Sequence, residues 1–116
     1  MAARDHFRSL ARRSVNLRAT LRGDGGVELP ARLVDLGLGG ACLELSGAAA
    51  AKLPGDRVEL EVLAPHLWDP LKLDARIVWN RDRPEDRSRR VGLRFQHQSG
   101  AVLRALSELL GAEGYD

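Results

Sequence analysis

The feature that most constrains the fold is an alternation of apolar and polar residues with a period of two. Apolar side chains recur at every second position, with few exceptions, in six segments: 15–22, 27–36, 41–45, 58–62, 71–79 and 91–95. Successive side chains of a strand point to opposite faces, so a strand with one face in a core and one in water has this period. The pattern predicts six half-buried β-strands.

Turn signals separate these segments. A glycine-rich link at 23–26 and a Leu-Pro-Gly-Asp turn at 53–56 both favour antiparallel neighbours. Pro30 interrupts the second segment, where its missing N–H requires a strand start, an edge or a bulge. The charged stretch from Asn80 to Arg90 predicts an exposed, mobile loop with Pro84 at its tip.

One segment changes period. From Ser99 onward the apolar residues recur at helical spacing, at Val102, Leu103, Leu106, Leu109 and Leu110. Ser99 is placed to cap the start of this helix and Gly111 to end it. We expect the helix to close one end of the sheet structure.

These elements predict a mainly β fold, a small six-stranded antiparallel β-barrel with a C-terminal α-helix. A length of 116 residues suits one domain. We expect a basic flexible N-terminal segment at 1–14, the barrel and helix at 15–111, and a short tail at 112–116.

Enzyme and metal signatures were not found in the sequence. It has no nucleophile elbow, Walker loop or dinucleotide fingerprint. The three histidines are far apart and Cys42 is the single cysteine, so we expect no metal, no cofactor and no catalysis. No run of about 18 apolar residues and no signal-peptide core is present, which favours a cytoplasmic protein without membrane insertion.

Positive charge is concentrated at the N-terminus. Residues 1–22 hold six arginines against one aspartate, whereas the remaining 94 residues have a net charge of −3. Arginine suits phosphate groups and guanine edges, although a GC-rich genome would also enrich it. The negative remainder argues against a nucleic-acid binder, which usually extends positive charge over a whole face.

Two short patterns carry the candidate chemistry. In the first, Arg8 and Arg12 stand four residues apart before the first strand, with Arg13 adjoining. In the second, Asp35 precedes a turn in which Gly37, Gly39 and Gly40 fall within four positions. Glycines permit positive φ and close backbone approach to a ligand, and a carboxylate can accept from a guanine edge. Taken singly, the patterns also fit a solvated tail and a bulged hairpin.

Together, the two patterns resemble those of the PilZ domain family. That family has an R-x-x-x-R motif before its first strand, matched by Arg8 and Arg12. It also has a [D/N]-x-S-x-x-G motif between its second and third strands, matched by Asp35 and Gly40. The segments 53–58, 75–79 and 91–95 also look like family strands and turns, so the resemblance covers about residues 8 to 111.

The resemblance implies binding of cyclic di-GMP, a bacterial second messenger, often as a stacked pair of molecules. The arginines would grip phosphates and guanines, and Asp35 would read a guanine edge. The N-terminal segment would change conformation on binding and signal through a separate partner protein, in motility, pilus or exopolysaccharide and biofilm machinery. The ligand-binding residues expected on this basis are Arg8, Arg12, Arg13, Asp35, Gly37 and Gly40.

One position departs from the family pattern. Gly37 stands where the motif has serine, so a hydroxyl contact is missing, at a cost of ~0.5 to 1.5 kcal/mol in binding. The charged contacts, worth ~1.5 to 3 kcal/mol each, keep their residues. The alternative is a degenerate PilZ-like adaptor that holds a protein partner and binds no nucleotide.

Overall fold

The structure, a computed structural model, describes residues 13–47, 55–64, 69–83, 85, 87–96 and 98–113. The strands are β1 (Arg13–Arg22), β2 (Glu28–Leu36), β3 (Gly40–Ser46), β4 (Arg57–Leu63), β5 (Leu71–Arg83) and β6 (Ser88–Phe95), and the helix is α1 (Gly100–Glu113). A short 3-10 turn, Asp24–Gly26, links β1 to β2.

The six strands form a closed antiparallel barrel in the order β1-β2-β3-β6-β5-β4. In the part of each strand that lies within the barrel, every second residue points into the interior, which is filled mainly by leucine and valine. The largest fully buried side chains are Leu21, Leu33, Leu36, Leu43, Leu45, Leu60, Leu73, Leu106, Leu109, Val62 and Val91. The predicted barrel with a terminal helix is confirmed.

Pro30 lies in the outer half of β2, where it is opposite Thr20 of β1. The pairing of β2 with β3 extends only from Arg32 to Leu36. Pro30 therefore has a strand neighbour on one side only among the described residues, the edge position that a residue without an N–H can occupy.

The helix begins as predicted but ends later. The backbone N–H of Val102 donates to the Ser99 side-chain oxygen at 3.2 Å, which is the expected N-cap. Gly111 was expected to end the helix, but α1 continues to Glu113. Gly111 is not in the left-handed conformation that terminates helices, so its presence does not stop the helix. Leu106 and Leu109 are fully buried, and α1 packs against β5 and β1.

The expected loop from Asn80 to Arg90 is largely strand, and that prediction is wrong. Asn80 is opposite Val91 and Arg83 is opposite Ser88, so β5 and β6 continue as a two-stranded ribbon. The pairing of β5 with β4 stops at Arg76. A ribbon that extends past its neighbour has little core to cover, so its side chains can be charged while the backbone still pairs.

No helix among the described residues is long and apolar enough to cross a bilayer.

Candidate functional site

The start of β1 lies beside the second sequence motif. Arg13 of β1 is opposite Leu36, and Ser14 is opposite Asp35 of β2. Arg8 and Arg12 precede this point in the sequence and lie outside the described residues. The register thus brings the segment that follows the R-x-x-x-R motif directly beside Asp35.

The turn from Gly37 to Gly40 is fixed by backbone hydrogen bonds. The Gly37 N–H donates to the Gly40 carbonyl, and the Phe95 N–H donates to the Gly39 carbonyl, both at 2.9 Å. The second bond ties the turn to the end of β6. The motif residues Asp35, Gly37 and Gly40 therefore lie together at one end of the β2–β3 hairpin.

Gly40 is required for a steric reason. A Cβ at this position would meet the backbone carbonyl oxygen of Leu93 on β6, and its carbonyl carbon at 3.4 Å. Positive φ is not the reason, since the glycines with positive φ among the described residues are Gly25, Gly26, Gly47 and Gly55. The expectation that the motif glycines supply positive φ is therefore wrong, whereas close backbone approach is the use that Gly40 makes of its missing side chain.

A row of residues runs from Asp35 across the outer face of the barrel. Asp35 is opposite Cys42 on β3, Cys42 is opposite Gly92 on β6, and Gly92 is opposite Trp79 on β5. Cys42 and Gly92 both alternate with interior residues, so their outer sides share one face. We call these four residues the central row.

Trp79 gives the central row a flat apolar end. Its indole lies over Gly92, where an added Cβ would come within 2.7 Å of the indole Cδ1, and the residue remains 45% exposed. The alternation of β5 predicted that Trp79 points inward. The register shift between Ile77 and Trp79 turns it outward instead. A glycine inside the strand motif Val91–Phe95 was the available signal that another side chain lies close by.

A second row lies two residues from the central row on β3, β6 and β5 and three residues from it on β2, and most of its members are basic. Its members are opposite one another in the order Arg18, Arg32, Glu44, Arg90 and Arg81. We call this set the arginine row. Arg32 Nη2 lies 2.7 Å from Glu44 Oε1, and Arg90 Nε lies 3.6 Å from Glu44 Oε2. The row thus holds four arginines and one glutamate, and the glutamate contacts the two arginines next to it.

A second group of ion pairs surrounds Arg22 at the end of β1, where it meets carboxylates of β2 and β4. Arg22 Nη1 lies 3.0 Å from Glu61 and 3.6 Å from Glu59, and Arg22 Nε lies 3.3 Å from Glu28. Hydrogen bonds to Glu61 first and then to Glu28 raise the pKa of Arg22 above its ordinary value. The charges counted along the sequence did not predict these two separate groups of arginines and carboxylates. Such a count cannot show which strands are neighbours.

No group of three metal-ligating side chains occurs within the described part of the chain. The outer face thus has a carboxylate at one end, an exposed indole at the other, and guanidinium groups along one side. Aromatic rings and guanidinium groups of this kind can contact flat rings and anionic groups.

A family model described as PilZ domain matches residues 3–112. The chain belongs to the PilZ domain family. A search of curated protein sequences finds no match. The match of the family model over residues 3–112 shows the family.

Solved structures of PilZ proteins share the fold. The PilZ domain of YcgR from Escherichia coli with c-di-GMP is 24% identical with a TM-score of 0.72, over 88% of this chain and 87% of that chain. YcgR from Escherichia coli in complex with c-di-GMP is 25% identical with a TM-score of 0.67, over 87% of this chain and 43% of that one. The Bacillus subtilis inhibitor of motility MotI/DgrA is 14% identical with a TM-score of 0.66, over 88% and 48%. This PilZ domain thus spans about half the length of the last two proteins.

Proposed function

We propose that this PilZ domain binds cyclic di-GMP on the outer face that carries the central row. The observation that most supports this is the pairing of Ser14 with Asp35, because Ser14 follows the R-x-x-x-R motif by two residues and lies beside the first residue of the second motif. Two of the similar E. coli structures, both of YcgR, contain c-di-GMP. The protein is a receptor rather than an enzyme in this proposal, and it needs no metal or cofactor.

Each part of the ligand has a matching residue. Cyclic di-GMP carries two phosphodiester groups and two guanines. Guanidinium groups can bind the phosphates, and aromatic rings or carboxylates can contact the guanines. Arg8, Arg12 and Arg13 would bind phosphate and guanine, and Asp35 would accept from a guanine edge. The exposed indole of Trp79 adds a stacking surface at the other end of the central row.

The missing serine hydroxyl at Gly37 weakens this site without removing it. Gly37 is buried and donates its N–H to the Gly40 carbonyl, so the turn keeps its backbone hydrogen bond without a side chain. One neutral hydrogen bond changes affinity by roughly three- to tenfold.

Titration calorimetry with cyclic di-GMP is the direct test. Saturable binding in the micromolar range or tighter would support the receptor, and GTP and cyclic AMP serve as controls for general nucleotide affinity. If the heat of binding is no greater than for these controls, the receptor hypothesis is rejected. The alternative, an adaptor that binds no nucleotide, would then stand. A mixed-sequence oligonucleotide at ~150 mM salt tests the remaining alternative, since the arginine row gives the barrel a basic stripe.

We further propose that the N-terminal segment closes over the bound ligand and presents a new surface to a separate partner protein in the bacterial cytoplasm. Motility, pilus and exopolysaccharide systems are the partners to examine first. Amide hydrogen exchange tests the closure: the residues before β1 are expected to exchange fast without ligand and slowly with it. Equal protection in both states would contradict the conformational change while leaving binding intact.

Replacing Trp79 with alanine is expected to weaken cyclic di-GMP binding by about 1 kcal/mol or more, roughly fivefold or more, because a base loses its aromatic partner. The fold should persist, since Trp79 lies outside the core. Val78→Ala is the matched control, because Val78 is also exposed on β5 but outside the central row. Equal affinities of wild type and Trp79→Ala, measured by calorimetry, would remove Trp79 from the site.

A further inference from the structure

Glu44 occupies a position between two arginines on neighbouring strands. It is opposite Arg32 of β2 on one side and Arg90 of β6 on the other. Its carboxylate oxygens lie 2.7 Å from Arg32 Nη2 and 3.6 Å from Arg90 Nε. The Glu44 side chain is 19% exposed, whereas those of Arg32 and Arg90 are 51% and 39% exposed. The carboxylate is covered and the guanidinium groups above it reach solvent.

These three residues border the proposed ligand face. Glu44 is two residues from Cys42 on β3, and Arg90 is two residues from Gly92 on β6. Residues two apart on a strand point to the same face about 6.6 Å from each other. An arginine side chain is long enough to cross that distance, and both Cys42 and Gly92 are too small to block it. Either guanidinium can therefore reach an anion that lies on the central row.

The Arg90 guanidinium does not make all of its possible hydrogen bonds within the part of the chain that the structure describes. Its Nε is inaccessible to solvent and has no hydrogen-bond partner among the described residues. The 3.6 Å separation from Glu44 is an ion pair but is too long for a hydrogen bond. A buried donor without an acceptor is unfavourable, so Arg90 loses little when its guanidinium turns towards another anion. Arg32, which is more exposed, makes one charged hydrogen bond to Glu44.

We propose that Arg32 and Arg90 bind a phosphate of the ligand, and that Glu44 competes with that phosphate for them. This inference rests on the proposed function and adds residues outside both family motifs. In the empty site Glu44 holds the two guanidinium groups beside the central row. On binding, a phosphodiester oxygen replaces the carboxylate as their partner. Glu44 thus lowers the affinity for ligand, because its charge must be displaced and lies near the bound anion.

The test is the affinity for cyclic di-GMP of three variants of the full chain, measured by calorimetry. Arg32→Gln and Arg90→Gln should each weaken binding about three- to tenfold, because each removes a charged contact with the phosphate. Glu44→Gln should strengthen binding about three- to tenfold, since it removes the competing charge but keeps the size of the side chain. Added salt should reduce the gain from Glu44→Gln, because the effect is electrostatic.

Arg57→Gln is the matched control, because Arg57 is an exposed arginine on β4, the strand three places from β3 around the barrel. A triple variant that combines Glu44→Gln with both arginine changes should show no gain over the double arginine variant. Arg90→Lys keeps the charge and should therefore lose less affinity than Arg90→Gln.

The outcomes separate this inference from the function on which it rests. Absence of cyclic di-GMP binding by the wild type rejects the proposed function, and this inference with it. Normal wild-type binding together with unchanged or weakened binding of Glu44→Gln overturns the competition by Glu44 alone. Losses in Arg57→Gln equal to those in Arg32→Gln and Arg90→Gln would show a diffuse field of positive charge and overturn the assignment of the two arginines.

Discussion

Alanine in place of Arg8 or Arg12 is expected to weaken cyclic di-GMP binding roughly 10- to 150-fold, that is by ~1.5 to 3 kcal/mol. Each change removes one charged contact that the family resemblance places on the ligand. The two residues precede Arg13, whose strand pairs with β2 beside Asp35. Calorimetric titration of both variants against the wild type is the measurement.

Stability separates a ligand contact from a structural one in this experiment. The core of the described residues runs from Leu17 to Leu109, and we expect the melting temperature of both variants to match the wild type within about two degrees. Arg4→Ala removes an equal charge outside the motif and is the control. Loss of affinity in Arg4→Ala as large as in the other two would mean that the N-terminus acts only through its net charge.

Gly40→Ala is expected to lower the free energy of unfolding by ~1 to 3 kcal/mol, because its Cβ would meet a backbone carbonyl that cannot turn aside. For a domain of this size the melting temperature should fall by roughly 5 to 20 °C. Ligand binding should weaken as well, since the turn is held between Gly37 and Gly40 and tied to β6. Thermal unfolding and calorimetry measure the two effects.

Gly39→Ala is the matched control for this change. A Cβ at Gly39 meets no atom within 4 Å and the residue has no positive φ, so the variant should keep nearly the wild-type melting temperature. If Gly39→Ala and Gly40→Ala lower the melting temperature equally, the loss comes from removing any glycine of the turn. The contact with Leu93 would then not be its cause.

The barrel was predictable because its signal is local. Alternation of the kind seen at Val58, Leu60 and Val62 reports a strand with one face in the core wherever it occurs, without knowledge of the partner strand. Ser99 and the leucine spacing after it identified the helix for the same reason. The predicted end of the helix at Gly111 was wrong. A glycine ends a helix in this way when its backbone is left-handed, and the residue type alone does not determine that conformation.

The wrong predictions concern features that depend on how the strands pair. Trp79 is turned outward by a bulge, and no residue type marks a bulge between Ile77 and Trp79. The ribbon beyond Asn80 has no alternation to detect, because charged side chains occupy most of its positions. The site itself arises from register: Asp35, Gly92 and Trp79 are far apart in sequence. Only the family resemblance joined the first of them to the arginines before β1.

The central row and its neighbour Ser14 are contributed by five of the six strands, β1, β2, β3, β6 and β5. Such a site has no counterpart in a partly folded chain, since any missing strand interrupts it. A ligand held there binds the native state alone, and its free energy of binding adds to that of the whole barrel by linkage. At a concentration 100 times its dissociation constant, cyclic di-GMP would raise the free energy of unfolding by about 2.7 kcal/mol. The cellular level of the messenger would then set not only the signalling state of the protein but also how long it resists unfolding and proteolysis.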